Sequence, residues 1–234
     1  MRDIYDIVKE EIFDNINTEV KVLRVISVVG ATQKIEVCNN KWVRVGQYIT
    51  DSSNKQWKVI DIDNNGYISL TKPNGATDIV KRNILDIKSP IWLFGSSTSA
   101  NNEYLQKGVD SRTKLPIIWL VENIGEEEYD QTSNLERRSD IRVFFLDDNN
   151  PEHFDNVDYR QKVVSPMIAL KDEFLRVIEK SVLFENYGSC RTRPITRFGN
   201  EDEKGSFENI LDENLSGVEL RITLPINKSG NCKC

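Results

Sequence analysis

A change in the spacing of apolar residues divides this sequence and limits how it can fold. From residue 19 to residue 88, apolar and polar residues alternate in short stretches rich in Val and Ile. Turn-forming pairs such as Gly30-Ala31 and Asn39-Asn40 separate these stretches at intervals of about ten residues. The pattern predicts strands with one buried face, arranged as a small antiparallel barrel or sandwich. The stretches are 19–30, 33–38, 41–49, 55–63 and 66–72, and 76–90 would close the sheet as an edge strand or a short helical turn.

The rest of the chain carries the patterns of a sheet packed against helices. Nearly continuous apolar runs, such as LPIIWLVENI, are typical of strands covered on both faces. Ser165-Pro166 predicts a helix start, with Ser165 as the N-cap and proline at the first helical position. The predicted elements are a helix over 3–16, strands over 115–124 and 139–148, a helix from Ser165 to about 186, and a strand over 216–226.

Three polar segments connect these elements. Residues 95–113 are predicted to form a long loop, 125–139 a charged excursion, and 189–214 an irregular charged segment or β-arm. The predicted fold class is therefore α+β. A small antiparallel β-domain over 18–88 is inserted into a helix-on-sheet domain formed by 1–17 and 89–234.

Charge and metal-ligating residues exclude several functions. The chain has 31 basic and 37 acidic residues, which argues against a dedicated nucleic-acid binder. The single histidine, His153, lies in a predicted polar loop and excludes a multi-histidine metal site. Cys38 is expected to be buried in a strand. Cys232 and Cys234 form a C-x-C near the end without the second pair of ligands that zinc needs, so no metal is expected.

No catalytic motif accompanies these residues. Asp61 to Gly66 matches the first half of a calcium loop, but Lys72 occupies the position of the required glutamate, so a hairpin turn is predicted. Asp147-Asp148 follows a strand, where carboxylates can hold Mg²⁺, yet no second acidic pair is evident. Phosphate-binding glycine loops and serine elbows are absent from the sequence. The sequence therefore predicts neither an enzyme nor a cofactor.

Two groups of residues are candidates for contacts with other chains. Trp92 and Phe94 lie between a proline and a polar stretch, and they either pack between the two domains or anchor another subunit. Arg137 and Arg138 are among the densest basic positions, together with the arginines at 191, 193 and 197. These arginines either pair locally or face a phosphate or a neighbouring subunit. Trp92, Phe94, Arg137 and Arg138 are the predicted subunit-interface residues.

Three stretches of the chain resemble virion proteins of tailed bacteriophages of Bacteroidetes hosts, the crAss-like group included. They are KLPIIWLVEN, RRSDIRVFFLDD and VVSPMIALKDEFLRVI. The order of elements over 1–16 and 110–226 is similar to that of tail-terminator and tail-completion proteins. The β-rich segment 19–88 departs from the compact members of that group. The resemblance implies a virion structural protein, assembled in the host cytoplasm. Its copies form a homo-oligomeric ring at the head–tail junction that docks portal, tail or ring proteins around the DNA channel, with non-specific DNA contact and no membrane.

A second class of function remains open. The β-domain could bind a ligand or glycan, with the rest of the chain as its scaffold. Exposed aromatic side chains at Trp42, Tyr48 and Trp57 would favour that function. A hydrolase would need a carboxylate pair that the sequence does not reveal.

Overall fold

The computed structural model describes residues 2–63, 65–107, 114–128, 135–148, 163–201, 207–211 and 214–227. The fold is mixed α+β and consists mostly of sheet, with a closed antiparallel barrel and a second, larger sheet. The chain divides into two compact units. Asn17–Ser89 form one, called the barrel below, and Met1–Ile16 with Pro90–Cys234 form the other, called the sheet unit.

The barrel contains six antiparallel strands in the order β1-β2-β5-β4-β3-β6. Their bounds are β1 Glu19–Val29, β2 Thr32–Val37, β3 Tyr48–Asp51, β4 Gln56–Ile62, β5 Ile68–Thr71 and β6 Ile84–Ile87. Alternate residues fill the interior, as the sequence pattern predicts: Trp57 and Val59 are fully buried on β4, as is Leu85 on β6. The stretch 76–90 supplies the closing strand, which pairs with both β1 and β3.

Two expectations for the barrel were wrong. The stretch 41–49 becomes a strand only from Tyr48, because two turns precede it, in which the N–H of Val43 donates to the carbonyl of Asn40 and the N–H of Gln47 to that of Arg44. Trp42 is nevertheless fully buried, and its indole N–H donates to the backbone carbonyl of Lys88 at 3.2 Å. Cys38 is exposed rather than buried, because it follows the last residue of β2.

The sheet unit is built on strands in the order β11-β14-β10-β8-β7, with β9 beside β10. Its strands are β7 Ile91–Gly95, β8 Ile117–Val121, β9 Gly125–Glu128, β10 Leu135–Asp148, β11 Cys190–Ile195 and β14 Leu215–Asn227, and a separate ribbon pairs β12 Gly199–Glu201 with β13 Phe207–Asn209. Its helices are α1 Ile4–Ile7, continued by π-helical and 3-10 turns to Asn15, α2 Ser97–Gln106 and α3 Ser165–Lys180. Strands β7 and β8 are parallel, whereas the other pairs are antiparallel.

Both faces of this sheet are covered along β8 and the apolar part of β10. On one face, Phe174 of α3 packs against Phe145 of β10, with ring centroids 5.5 Å apart. On the other face, Trp119 and Phe144 form a cluster with Phe198, which follows β11. This explains the nearly continuous apolar runs in β8 and in residues 143–146 of β10, since successive residues there contact a core on either face.

The structure corrects two further expectations. Residues 95–107 are not a loop, because α2 begins after Ser96, whose hydroxyl accepts from the backbone N–H of Ser99. Ser165 is not the N-cap of α3, since that position belongs to Val164 and Ser165 is the first helical residue. Within 189–214 the structure shows the β-arm alternative, since β11 pairs with β14 and β12 pairs with β13. Among the described residues, no helix combines the length and apolar composition needed to cross a bilayer.

Candidate functional site

A row of arginines crosses three neighbouring strands of the sheet unit. Arg142 on β10 lies opposite Arg221 on β14, and Arg221 lies opposite Arg191 on β11. Residues in register on neighbouring strands share a face, with Cβ atoms about 4.5–5.5 Å apart. Like charges placed in this way repel each other, so the row, called the arginine row below, needs a compensating charge.

Glu219 supplies that charge from the same face of the sheet, two residues before Arg221 on β14. Its side chain is 3% exposed, and its Oε1 atom accepts from Nε of Arg142 at 2.5 Å and Nε of Arg221 at 2.6 Å. Burial acts to raise the pKa of Glu219, but the hydrogen bonds from Arg221 and Arg142 outweigh burial and hold this pKa below its ordinary value of 4.5. The carboxylate is therefore ionised at neutral pH and holds two guanidinium groups side by side.

The outer parts of these arginines remain accessible. The side chains of Arg142 and Arg221 are 42% and 57% exposed, and their Nη atoms make no hydrogen bond to any described residue. Arg191 is exposed and has no ion pair within the described part of the chain. The guanidinium of Arg142 also lies 4.7 Å from the ring centroid of Phe144, which marks the edge of the apolar cluster.

An open groove of about 620 Å³ runs along the arginine row. Its polar wall includes Asp140, whose carboxylate accepts from the Thr223 hydroxyl. The groove is lined by Asn123, Gly125, Asp140, Ile141, Arg142, Ser189, Arg191, Arg221, Ile222 and Thr223. Three arginines and one carboxylate thus line this groove, which gives it a local positive charge in a chain of net charge −6.

The barrel carries a different surface feature. Strand β6 pairs with β1 only at Glu19, Val20 and Lys21, so among the described residues the later part of β1 has a strand partner only in β2. Apolar side chains stand exposed along this part of β1, by 38% to 73%. They are Leu23, Ile26, Val28 and Val29, called the β1 edge patch below. An open strand edge with apolar side chains is a surface suited to pairing with another chain.

Two of the predicted interface residues, Trp92 and Phe94, lie on β7 and pack within the sheet unit. The ring of Trp92 lies 5.1 Å from Phe13, and the ring of Phe94 lies 4.6 Å from Tyr5, measured between centroids. Trp92 is only 6% exposed, while Phe94 is half-buried. Their role as subunit contacts stays a prediction, and Phe94 offers the larger accessible surface.

Arg137 and Arg138 lie at the start of β10 and face opposite sides of the sheet. Arg137 is 4% exposed, forms an ion pair with Glu126 at 3.2 Å and donates to the backbone carbonyl of Arg2. Arg138 is exposed and lies in register with Glu127 on β9. Arg137 therefore ties the start of the chain to the sheet, and only Arg138 presents a side chain outward. A subunit contact for this pair also stays a prediction.

The structure gives different outcomes for the remaining candidate metal-binding and catalytic residues. The hairpin prediction at Asp61–Gly66 is confirmed: β4 and β5 are antiparallel neighbours, and Asp63 accepts from the backbone N–H groups of Asn65 and Tyr67 at 2.9 and 3.0 Å. Asp147 is buried at the end of β10. His153, Cys232 and Cys234 lie outside the described residues. Within those residues, no cluster of His, Cys, Asp and Glu is suited to a metal ion.

The aromatic residues of the barrel bear on the ligand-binding alternative. Trp42 and Trp57 are both fully buried, and the Trp57 indole donates to the Asp51 carboxylate at 2.8 Å. Tyr48 is 52% exposed. Of the three aromatic side chains that would favour a glycan surface, only Tyr48 therefore reaches the outside of the barrel.

Sequence reasoning missed both the arginine row and the β1 edge patch. Each arginine of the row belongs to a different strand, and Arg142 and Arg221 lie 79 positions apart in sequence. Strand register alone brings them together, so no local motif could have revealed the row. The β1 edge patch had a visible signal, since the stretch VISVV departs from strict alternation.

No protein-family model matches this chain, and no curated protein shows significant similarity to it. The candidate functional surfaces are therefore two features of the structure itself. These are a groove with local positive charge and an apolar strand edge.

Proposed function

We propose that this protein is a structural component of a tailed-bacteriophage virion, whose copies assemble into a ring at the head–tail junction. The ring docks neighbouring portal, tail or ring proteins around the DNA channel, and it is assembled in the host cytoplasm before entering the virion. The resemblance of the sequence stretches around β8, β10 and α3 to such proteins supports the proposal.

The β1 edge patch is the observation that carries the assembly part of this proposal. Outward-facing positions of a small barrel are normally polar, because they contact water. Val28 and Val29 are instead 50% and 73% exposed, on a strand with one open edge. Covering these side chains with a second copy removes apolar surface from water, and pairing the open edge satisfies backbone groups. A head-to-tail contact of this kind closes into a ring when its rotation permits.

The proposal includes the arrangement of the chain. We infer that the barrel is a domain inserted into a tail-terminator-like body formed by the sheet unit. Contacts between the two separated segments of the sheet unit support this inference, since Tyr5 packs against Phe94 and Phe13 against Trp92. The net charge of −6 also suits a channel protein, because an acidic surface weakens phosphate binding and lets DNA slide.

The oligomeric state of the purified full chain tests the proposal. Light scattering coupled to size-exclusion chromatography should give a single large oligomer, and electron microscopy should show rings. Val28→Lys combined with Val29→Lys should shift the protein toward monomers, because two charges on the open edge oppose pairing. Val182→Lys is the matched control, since Val182 is an 88% exposed apolar residue in the sheet unit.

Two outcomes would contradict the proposal. In one, the unaltered protein stays monomeric over a wide concentration range and no ring is visible in native particles. In the other, rings form but the double lysine variant assembles as well as Val182→Lys, which would remove the β1 edge patch from the interface.

A further inference from the structure

We propose that the arginine row is a binding site for phosphate groups, and that it takes a polyanion with two or more closely spaced phosphates. This site lies on the sheet unit and does not depend on the proposed ring, which is assigned to the β1 edge patch. Its parts are the guanidinium groups of Arg142, Arg221 and Arg191, the carboxylate of Glu219 that holds two of them, and the groove beside them.

The chemistry of the row matches phosphate. A guanidinium group presents N–H donors in a planar fork that bonds two phosphate oxygens at once, and it stays charged at any physiological pH. Glu219 engages the Nε atoms of Arg142 and Arg221, so their Nη donors stay available for an anion. The arrangement therefore presents the guanidinium groups of Arg142 and Arg221 as a pair, with the guanidinium group of Arg191 next to them.

The dimensions favour several phosphates over one. Neighbouring strands lie about 4.8 Å apart, so a row over three strands spans about 10 Å. A single phosphate engages one or two guanidinium groups and would leave part of the row unused. The groove volume of about 620 Å³ also falls within the range of about 300–1,000 Å³ typical of small-molecule sites.

Glu219 acts as a positioning residue for this site. Long arginine side chains lose conformational freedom when they bind a ligand, which costs affinity. Here the buried carboxylate has already restrained two of them in the absence of a ligand. Arg193 on β11 is exposed and lies in register with Glu219 on β14. It therefore adds positive charge beside the arginine row and offsets the negative charge of Glu219. Asp140 is engaged by Thr223.

Calorimetric titration of the full chain at low salt tests the site with three probes: tripolyphosphate, ATP and a single-stranded oligothymidylate of about 20 nucleotides. We expect saturable binding of tripolyphosphate with one site per chain. Displacement of tripolyphosphate by ATP but not by the oligonucleotide would identify a free oligophosphate as the natural ligand. Displacement by the oligonucleotide would identify a nucleic-acid backbone, and its salt dependence should then be modest, with a slope of about −2 for three phosphate contacts.

Charge-neutralising variants locate the binding. Arg191→Gln and Arg221→Gln should each weaken tripolyphosphate binding about tenfold, because each removes charged hydrogen bonds to the anion. Arg24→Gln makes the same change of charge at an exposed position on the barrel, where Arg24 pairs with Glu36, and should change affinity less than about twofold. Arg191 has no partner among the described residues, so its variant should fold normally even where loss of the Glu219 contact destabilises Arg221→Gln.

Three results would overturn the inference. The first is an absence of saturable binding for all three probes. The second is equal weakening by Arg191→Gln and Arg24→Gln, which would show a general charge effect rather than a site. The third is saturable binding of an oligoglutamate peptide without binding of any phosphate probe, which would show a surface for carboxylates. None of these readouts depends on whether the protein forms a ring.

Discussion

The barrel and the sheet unit bury their cores in different ways. On the barrel strands β2 and β6, buried residues alternate with more exposed ones, so each strand gives one face to the interior. On β8, four consecutive residues from Ile117 to Leu120 are buried, because covering layers pack against both faces of that sheet. Substitution of an outward-facing side chain in the barrel should therefore cost little stability. In β8 and the apolar part of β10, side chains on both faces are buried, so substitution on either face should be destabilising.

The two units also differ in what their uncovered surfaces carry. In the sheet unit, the uncovered part of one sheet face holds the arginine row, with the buried Glu219 beside it. In the barrel, the uncovered edge of β1 holds apolar residues such as Val28 and Val29. A charged groove suits a small polyanion, while an apolar strand edge suits another protein chain. The two proposed activities therefore belong to separate units and can be removed separately.

The largest expected effect tests the closeness of the central strands in the sheet unit. Gly217 on β14 faces β10, and a Cβ atom there would lie 1.9 Å from the backbone carbonyl oxygen of Phe145. Gly217→Ala should lower the free energy of unfolding by about 4 kcal/mol or more, because backbone must move to relieve the clash. Gly125→Ala on β9 is the control, since its Cβ would meet Asp140 at an ordinary 3.7 Å. Urea unfolding measures the free energy of unfolding of both variants. Similar values for the two would contradict the close approach of β14 to β10 at Gly217.

A second test compares the inside and outside of the barrel on adjacent strands. Trp57→Ala should cost about 3–5 kcal/mol, because it leaves a large cavity in the barrel interior. Tyr48→Ala, on the outer face of β3, should change stability by no more than about 0.5 kcal/mol. Hydrogen exchange over residues 17–89 reports the loss in the barrel itself. Equal protection factors in the two variants would contradict the assignment of Trp57 to the barrel interior and Tyr48 to its outer surface.

The smallest expected effect concerns two carboxylates with lowered pKa values. Burial acts to raise the pKa of Asp51, but donors from Trp57, Lys55 and Ser53 outweigh burial and leave this pKa below its ordinary 3.8. The pKa of Glu219 is lowered by two guanidinium groups. Since each folded pKa is lowered, each ionised carboxylate adds stability above its ordinary pKa. That stability is lost as the pH falls through the folded value.

Glu219→Gln should therefore cost about 1 kcal/mol at pH 7, with the difference from the unaltered protein shrinking below pH 4.5. Raising the salt to about 1 M should reduce this cost, because the partners of Glu219 are partly exposed charges. Asp51→Asn should respond less to salt, since the main donors to Asp51 are neutral N–H groups. Thermal unfolding over pH 2–7 at two salt concentrations measures both. An equal salt response would contradict this account of the two sites.

Particular elements show how far the sequence could be interpreted. Alternation located four barrel strands, within 19–30, 33–38, 55–63 and 66–72, because each has one face toward a closed interior, while 76–90 was open between an edge strand and a helical turn. The helix α2 was missed because it buries only Ala100 and Tyr104, so its apolar residues form no continuous stripe. The strand expected over 41–49 failed because Trp42 is buried from a turn rather than from a strand, and burial alone does not specify backbone conformation.

The predicted interface residues illustrate the same limit. From the sequence, Trp92 either packs between the two domains or anchors another subunit, and Arg137 either pairs locally or faces a phosphate or a neighbouring subunit. In the structure both side chains are nearly buried, because residues from the start of the chain cover them: Phe13 packs on Trp92, and the backbone carbonyl of Arg2 accepts from Arg137. Sequence distance conceals such contacts, since 135 positions separate Arg2 from Arg137.

The sequence by itself determined the local elements of this protein: the one-faced strands of the barrel, the two-faced strands β8 and β10, and the apolar stripe of α3. These follow from periodicity, which the order of residues specifies directly. Tertiary structure alone decided which residues meet. The register between β10, β14 and β11 placed three arginines in one row beside a buried glutamate. The short pairing of β6 with β1 left the end of β1 uncovered. Both candidate sites arise from long-range strand pairing, which no local sequence pattern specifies.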